Sequence, residues 1–313
     1  MHDHGQAQGG DKRLIGAVLV NILLTVAQIV GGVLSGSLSL VADALHNLSD
    51  AAALGVALVA RRIARRPADS KRTFGYGRAE VVGALINLTT LIIVGLYLVY
   101  EAAARLFNPQ VVEGWIVVWV AAIALIIDIA TAVLTYRLSK GNLNIRAAFV
   151  HNVSDALASV AVIVAGTLIL LYDWYWADLV ATVLISVYVL YQGITMMRDT
   201  VRILLESVPP DIRLEEITIA LGNIPGVQDV HHLHVWQLDE THRALEAHVV
   251  VQDRSIDTGQ LKTVVRQTLM GQFRIGHTTL ELEFRGEEGI CGNDESLPDC
   301  FEVKEATRKI VES

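Results

Sequence analysis

His46 and Asp50 stand four residues apart in the apolar stretch VADALHNLSDAAAL, and His151 and Asp155 repeat that spacing in RAAFVHNVSDALAS. Residues at i and i+4 lie on one face of a helix. Each pair therefore offers an imidazole nitrogen and a carboxylate oxygen to the same point. Two such helices side by side supply two nitrogens and two oxygens, a donor set that suits a tetrahedral divalent ion such as Zn²⁺. Co²⁺ and Cd²⁺ suit the same borderline ligands, whereas four carboxylates would favour Mn²⁺. In a bilayer each ionisable residue at mid-helix costs roughly 2.5–3.5 kcal/mol on insertion scales. The competing reading is a polar network that only ties helices together, and interhelical contacts of that kind return little energy. Imidazole binds metal when neutral and has an ordinary pKa of about 6.5, so protons and metal compete for such a site. Asp43 lies one turn before His46 on roughly the same face.

The elements that would position these residues are membrane helices. Hydrophobic residues make up 52% of the 313-residue chain and concentrate before residue 200. Six segments, near 14–35, 38–62, 80–104, 114–137, 146–171 and 176–197, are long enough to span a bilayer core. The second, third and fifth carry polar residues that weaken their hydropathy. The expected organisation is an N-terminal His-containing tail over 1–13, a six-span all-α membrane domain over 14–205, a cytoplasmic domain over 206–288 and an acidic tail over 289–313. Arg61, Arg62, Arg65, Arg66, Lys71, Arg72 and Arg78 lie between spans two and three, and Arg137, Lys140 and Arg146 between spans four and five. Lys12 and Arg13 precede span one and Arg198 and Arg202 follow span six; the other side has only Arg105. The positive-inside rule then places both termini in the cytoplasm, with Trp115, Trp119, Trp174, Tyr175 and Trp176 as an outer aromatic belt. The polar N-terminus carries no small-residue cleavage signal after its first apolar run, which reads as a membrane span rather than a cleaved leader. A net charge of −8 gives no support for nucleic-acid binding, and two cysteines, Cys291 and Cys300, indicate no disulfide framework.

Two further membrane carboxylates need a reading. Asp128, in ALIIDIATAV of span four, is either hydrogen-bonded to a neighbouring helix or acts beside the metal pair as a proton carrier or specificity modifier. Asp178 opens span six, where helix capping is expected.

The soluble part reads as helix, strand, strand, helix, strand: an α+β sandwich with helices on one face of a three-stranded sheet. Residues 213–223 and 257–273 are the helices. VQDVHHLHVWQL and RALEAHVVVQ form a hairpin across DETH, and HTTLELEF alternates as a third strand with one wet face. His231, His232 and His234 fall in the first strand, His248 in the second, and His277, Glu281 and Glu283 around the third. Strict alternation puts His232 and His234 on one face and His231 on the other unless a bulge intervenes. From spacing alone these are metal ligands or ordinary polar residues on a wet face.

LSGSLSLVADALHNLSD, RRPADSKRTFGYGRAE, NIRAAFVHNVSD and HHLHVW, in that order along the chain, resemble the cation diffusion facilitator family in its bacterial zinc, cobalt and cadmium efflux subgroup. The resemblance implies a homodimer of six-span protomers in the inner (plasma) membrane, with a metallochaperone-like cytoplasmic domain. It implies export of divalent metal in exchange for protons, with His46, Asp50, His151 and Asp155 as the transport site. It further implies Zn²⁺ bound in the cytoplasmic domain by His231, His248 and Glu283, with His277 as a further ligand. Asp128 departs from the family's pattern, in which Asn is frequent at that place. Family members also place cysteines in the tail; here eight residues separate Cys291 from Cys300, a second site at most. His2 and His4 either add ligands from a partner's N-terminus or raise the local metal concentration.

Two other functions compete. A membrane zinc hydrolase needs an open coordination position and a water-activating base, and four ligands with no HExxH motif oppose it. A metal-sensing scaffold without transport would not need both HxxxD pairs intact.

Overall fold

The computed structural model describes residues 22–138 and 143–284. His2, His4, Cys291, Cys300, Lys12, Arg13 and Lys140 lie outside the described residues. The chain forms two compact units. One holds the chain up to Ala60 together with Gly83–Met197; the other holds Arg61–Val82 together with the chain from Arg198.

Over the described residues each of the six expected spans is helical: α1 (Ile22–Ser35), α2 (Leu38–Ala64), α3 (Arg78–Phe107), α4 (Gly114–Leu138), α5 (Leu143–Tyr172) and α6 (Trp176–Leu204). Within α3 to α6 a stretch is long and apolar enough to cross a bilayer. α2 falls short because it carries Asp43, His46 and Asp50 as well as Arg61 and Arg62 in its last turn. The inward faces meet in one core that joins Leu38 and Leu40 of α2, Leu91 and Leu98 of α3, Val117 of α4, Val162 of α5 and Ile185 of α6. Outward, Leu23, Leu58, Ile86, Ile126, Leu184 and Tyr191 stand exposed on the helix surfaces, the side a bilayer would cover. α4 and α5 approach closely through glycine: a Cβ on Gly114 would lie 2.9 Å from the carbonyl of Gly166.

Asp178 caps a helix, but not its own. Its buried carboxylate accepts from the backbone N–H of Leu38 at 2.7 Å and from Ser37 Oγ and Ser39 Oγ, each at 2.6 Å. It thus satisfies the open N-terminus of α2 from the first turn of α6. Gly36, at φ +72°, makes the turn that brings α2 back, and a Cβ there would meet the Val111 carbonyl at 2.9 Å.

In the second unit, α7 (Leu214–Gly222), β1 (Val227–Gln237), β2 (Arg243–Val251), α8 (Thr258–Phe273) and β3 (Ile275–Phe284) follow the expected order. β2 is central, antiparallel to β1 and parallel to β3, with α8 as the crossover. Asp257 caps α8 by accepting from the N–H groups of Gly259 and Gln260. Ile217 and Leu221 of α7 and Leu261, Val265 and Leu269 of α8 pack with Leu245, Val249 and Val251 of β2 on one face of the sheet. The histidines are left on the other. Arg243 grips Asp211 through both carboxylate oxygens at 2.7 and 2.8 Å and holds that carboxyl below its usual range. In the 61–82 segment, Asp69 accepts from Tyr76 Oη and from the N–H groups of Lys71 and Arg72, which lowers its pKa in the same way.

Candidate metal centres

In the membrane unit α2 and α5 bring the two HxxxD pairs together. His46 Nε2 lies 3.7 Å from Asp50 Oδ2 and 3.4 Å from Asp155 Oδ1; His151 Nε2 lies 3.1 Å from Asp50 Oδ2 and 3.6 Å from Asp155 Oδ2. One ligand atom from each of the four residues falls within 4.8 Å of the other three. The imidazoles meet edge to face, with ring centres 5.9 Å apart. Two nitrogens held about 2.0–2.1 Å and two oxygens about 2.0–2.2 Å from one ion would be separated by about 3.3–3.5 Å, so little adjustment would close the shell. Neither ring nitrogen of His46 and not Oδ1 of Asp155 makes a hydrogen bond, although all three atoms are buried. Asp50 and His151 have side chains 34% and 38% exposed, so the cluster is open on one side.

The surroundings are polar in a way the sequence reading missed. Gln28 of α1, fully buried, donates to Asp43 Oδ2 at 2.5 Å and accepts from Asn47 Nδ2 at 3.1 Å. It ties α1 to both flanks of His46. A lone glutamine in the apolar run TVAQIVGG was the available signal. Asp128 accepts from Ser159 Oγ of α5 at 2.9 Å, which is the hydrogen bond to a neighbouring helix offered as its first reading. The Tyr188 ring of α6 stands 6.4 Å from that of His46.

In the second unit, His231 and His248 face each other across β1 and β2, and Glu281 is opposite His248 on β3. His231 Nε2 is 3.3 Å from Glu283 Oε2, His248 Nδ1 is 2.6 Å from Glu283 Oε1, and His248 Nε2 is 3.4 Å from Glu281 Oε2. His231, His248 and Glu283 form the second group able to converge on one ion among the described residues. Glu283 Oε2 is buried without a hydrogen bond, a donor atom fit for a cation. His277 is not part of this trio. It lies four residues before Glu281 on β3, about 13 Å along a strand, and its ring meets Phe74 edge-on at 5.6 Å.

Strict alternation fails in β1. A bulge between His231 and His234 leaves His232 at φ +49°, and this is why His231 reaches the same face as His234. The His232 ring then lies 4.7 Å from both His234 and His248. Partial burial and the adjacent His234 and His248 push His232 below the ordinary histidine value.

A family model described as the cation efflux transmembrane domain matches residues 14–205, and one described as the cation efflux protein cytoplasmic domain matches 209–284. This chain belongs to the cation diffusion facilitator (cation efflux) family. The chain is 34% identical to a "Cadmium, cobalt and zinc/H(+)-K(+) antiporter" of Bacillus velezensis over 289 residues, 90% of this chain and 91% of that one. It is 36% identical to "Metal cation efflux system protein CzcD" of Cupriavidus metallidurans over 282 residues, 90% and 89% of the two chains. It is also 36% identical to "Zinc transporter ZitB" of Pectobacterium atrosepticum over 291 residues, 91% and 89%. Cation diffusion facilitators are transporters, not enzymes, so the hydrolase reading falls. The family's two domains meet the two chemical clusters one to one: α2 and α5 lie in the transmembrane match, β1 to β3 in the cytoplasmic match.

Proposed function

We propose that this protein exports a divalent transition metal from the cytoplasm in exchange for protons, with Zn²⁺ the first substrate and Cd²⁺ and Co²⁺ accepted by the same ligands. His46, Asp50, His151 and Asp155 are the transport site. The observation that carries the reading is the convergence of these four side chains from two helices of a transmembrane unit, with buried nitrogens and an oxygen that bond to nothing else. The names of the relatives described above, which specify zinc, cadmium and cobalt and, in one case, protons, agree with it.

The chain's own groups account for coupling. Metal binding needs neutral imidazoles and ionised carboxylates, so loading releases protons and protonation unloads. Asp50 and Asp155 repel one another without a cation between them, and a proton returning inward serves as that cation. Alternating access around a site between packed helices supplies the movement. The one-sided exposure of Asp50 and His151 is the geometry of a site open to one face at a time. His231, His248 and Glu283 hold Zn²⁺ in the cytoplasmic domain, with His277 and Glu281 at the margin; Asp128 tunes proton or metal preference. The protein works as a homodimer in the inner (plasma) membrane with both termini in the cytoplasm, with domains divided at about residues 13, 205 and 288. His2, His4, Cys291 and Cys300 are accessory ligands in the tails.

The test is proteoliposome transport with an imposed pH gradient and an enclosed pH dye. Zn²⁺ movement coupled to opposite proton movement is expected. Metal movement indifferent to the gradient would exclude antiport and leave a channel-like pathway; no metal movement would favour a sensing scaffold.

A further inference from the structure

At the end of the membrane unit where α3 stops and α6 begins, a cavity of about 300 Å³ opens between the α3–α4 and α5–α6 connections. That volume is at the small end of ligand pockets. Charged and aromatic groups share its wall: Arg105 in the last turn of α3, Gln110, Asp173, Tyr175, Trp176 and the buried Asp178. Arg105 is fixed from two sides. Its Nε donates to Glu101 Oε1 at 3.1 Å and its Nη1 to the Gly36 carbonyl at 2.6 Å, while Nη2 takes part in neither contact. Asp173 is exposed, at φ +52°, with Tyr175 Oη 3.4 Å from its Oδ1.

The charges select the ligand. The wall holds one cation, Arg105, against the carboxylates of Asp173 and Asp178, and Glu101 stands behind the cation. Asp178 is already spent on the Leu38 N–H and on Ser37 and Ser39. A ligand of net negative charge would gain at Arg105 and lose at Asp173, and a bare cation would do the reverse. A zwitterion with a phosphate and a primary ammonium answers both, the phosphate accepting from the guanidinium and the ammonium donating to Asp173. The rim shows what that zwitterion is attached to. Trp176, which lines the cavity, is 54% exposed and stacks on Trp174 with ring centres 5.4 Å apart. Leu106, which also lines it, is 62% exposed and is followed by Phe107 at 85%. Exposed tryptophans at the ends of membrane helices sit at the level of lipid headgroups, so the polar cavity opens onto the apolar surface where acyl chains pack.

We propose that this cavity seats the phosphoethanolamine headgroup of a membrane phospholipid, its phosphodiester on Arg105 and its ammonium on Asp173. The seat bears on the helix that carries His46 and Asp50. Arg105 holds the carbonyl of Gly36, in the turn before α2, and Asp178 in the same wall caps α2 itself. A bound headgroup fixes Arg105 from a third side and so steadies the N-terminus of α2.

The experiment follows the melting midpoint of the full chain in a neutral detergent as short-chain phosphatidylethanolamine, short-chain phosphatidylglycerol or inorganic phosphate is added. A ligand that binds only the folded state raises the midpoint, and the concentration dependence gives its affinity. Phosphatidylethanolamine should bind at least about tenfold more tightly than either of the others, because neither brings an ammonium to Asp173. Asp173→Asn removes the charge and suits the left-handed backbone; it should remove the preference between the two lipids. Arg105→Gln should lose the response to both lipids, measured against its own lipid-free midpoint because the Gly36 contact goes as well. Equal affinity for the two lipids in the unaltered chain, or the full preference kept in Asp173→Asn, overturns the proposal. Inorganic phosphate binding as tightly as phosphatidylethanolamine would make this a free-anion site and overturn it too. No metal or transport enters the measurement, so failure of antiport leaves this site standing.

Discussion

Replacing Asp178 by Ala should destabilise the membrane unit and disable the transport site from two helical turns away. The carboxylate is wholly buried and receives the Leu38 N–H at 2.7 Å and two serine hydroxyls at 2.6 Å, with the Ser39 N–H more distant at 3.3 Å. Loss of an N-cap costs about 0.5–2 kcal/mol. Each hydrogen bond to a charged group adds about 1.5–3 kcal/mol, but Ser37 and Ser39 can turn to one another, being 3.3 Å apart already, and recover part of it. The net loss is about 3–5 kcal/mol, since the Leu38 N–H and the serine hydroxyls are left buried without their acceptor. For a unit of this size about 1 kcal/mol moves the melting midpoint by about 2–4 °C, so a fall of about 6–20 °C is expected. Ser39 lies seven residues, about 10 Å of helix, before His46, so a frayed first turn of α2 loosens the placement of His46 and Asp50. Asp178→Asn keeps one acceptor and should fall between. Thermal unfolding in detergent and Zn²⁺ uptake by proteoliposomes measure the two effects. A midpoint within 2 °C of wild type with full uptake in Asp178→Ala would refute the capping argument.

Asp155→Ala should abolish Zn²⁺ uptake while the protein still inserts and folds, read by transport beside a melting curve; full uptake would remove the site assignment. His46→Asp makes the donor set one nitrogen and three oxygens and should shift preference towards Mn²⁺ in competition uptake, whereas an unchanged preference would move selectivity to Asp128 or elsewhere. Stability of the cytoplasmic domain should fall with acidification. The folded-state pKa of His232 is depressed, so the unfolded chain binds more protons there. Its contribution is complete above about pH 6.5 and is lost as pH falls from there through the folded value. Denaturant midpoints at pH 7.5 and 5.5 test this, and His232→Asn should flatten the difference; a midpoint that rises on acidification would contradict the sign.

What could be read from the sequence follows from what is periodic. The i, i+4 spacing of His46 with Asp50 and of His151 with Asp155 is a helical property, so the two pairs were legible before any fold was known. The order of α7, β1, β2, α8 and β3 was legible too, because the alternation of HTTLELEF and the Asp257 cap are local signals. Two things were not. The His231–His234 bulge is a register event that depends on β2, and no residue in VHHLHVW announces it. The capping role of Asp178 was visible as a role but not as a target: sequence puts it in the first turn of α6, and only packing delivers it to α2. His277 was placed near the third strand by sequence, and the register sets it opposite Ala244, four residues before the partner of His248.

Hydrogen-bond accounting separates most structural polar residues of the membrane unit from the functional ones, the hydroxyl of Ser186 being buried and unbonded as well. Buried polar atoms are nearly always paired, and more strictly so where no water reaches. Asp178 has its serines and backbone, Asp128 has Ser159, and Gln28 joins Asp43 to Asn47. These groups join one helix to another, and each has an answering donor or acceptor on a different turn or helix. His46 has neither nitrogen bonded, and Asp155 has one oxygen unbonded, although both sit deeper than Asp50 and His151. A fold that supplies partners for its structural carboxylates had the means to supply one for His46. That it instead places carboxylate oxygens 3.4 and 3.7 Å from the ring nitrogen leaves room between them for an ion that binds all four ligands. Asp43 Oδ1 is the intermediate case, buried and unbonded. It sits one turn from His46, so replacing Asp43 by Asn tests whether its charge or only its bond to Gln28 matters: Asn keeps an acceptor for Gln28 and removes the charge. Unchanged Zn²⁺ affinity and uptake would make Asp43 a strut of α1 and α2; a weakened affinity with an unchanged melting midpoint would make its charge part of the site.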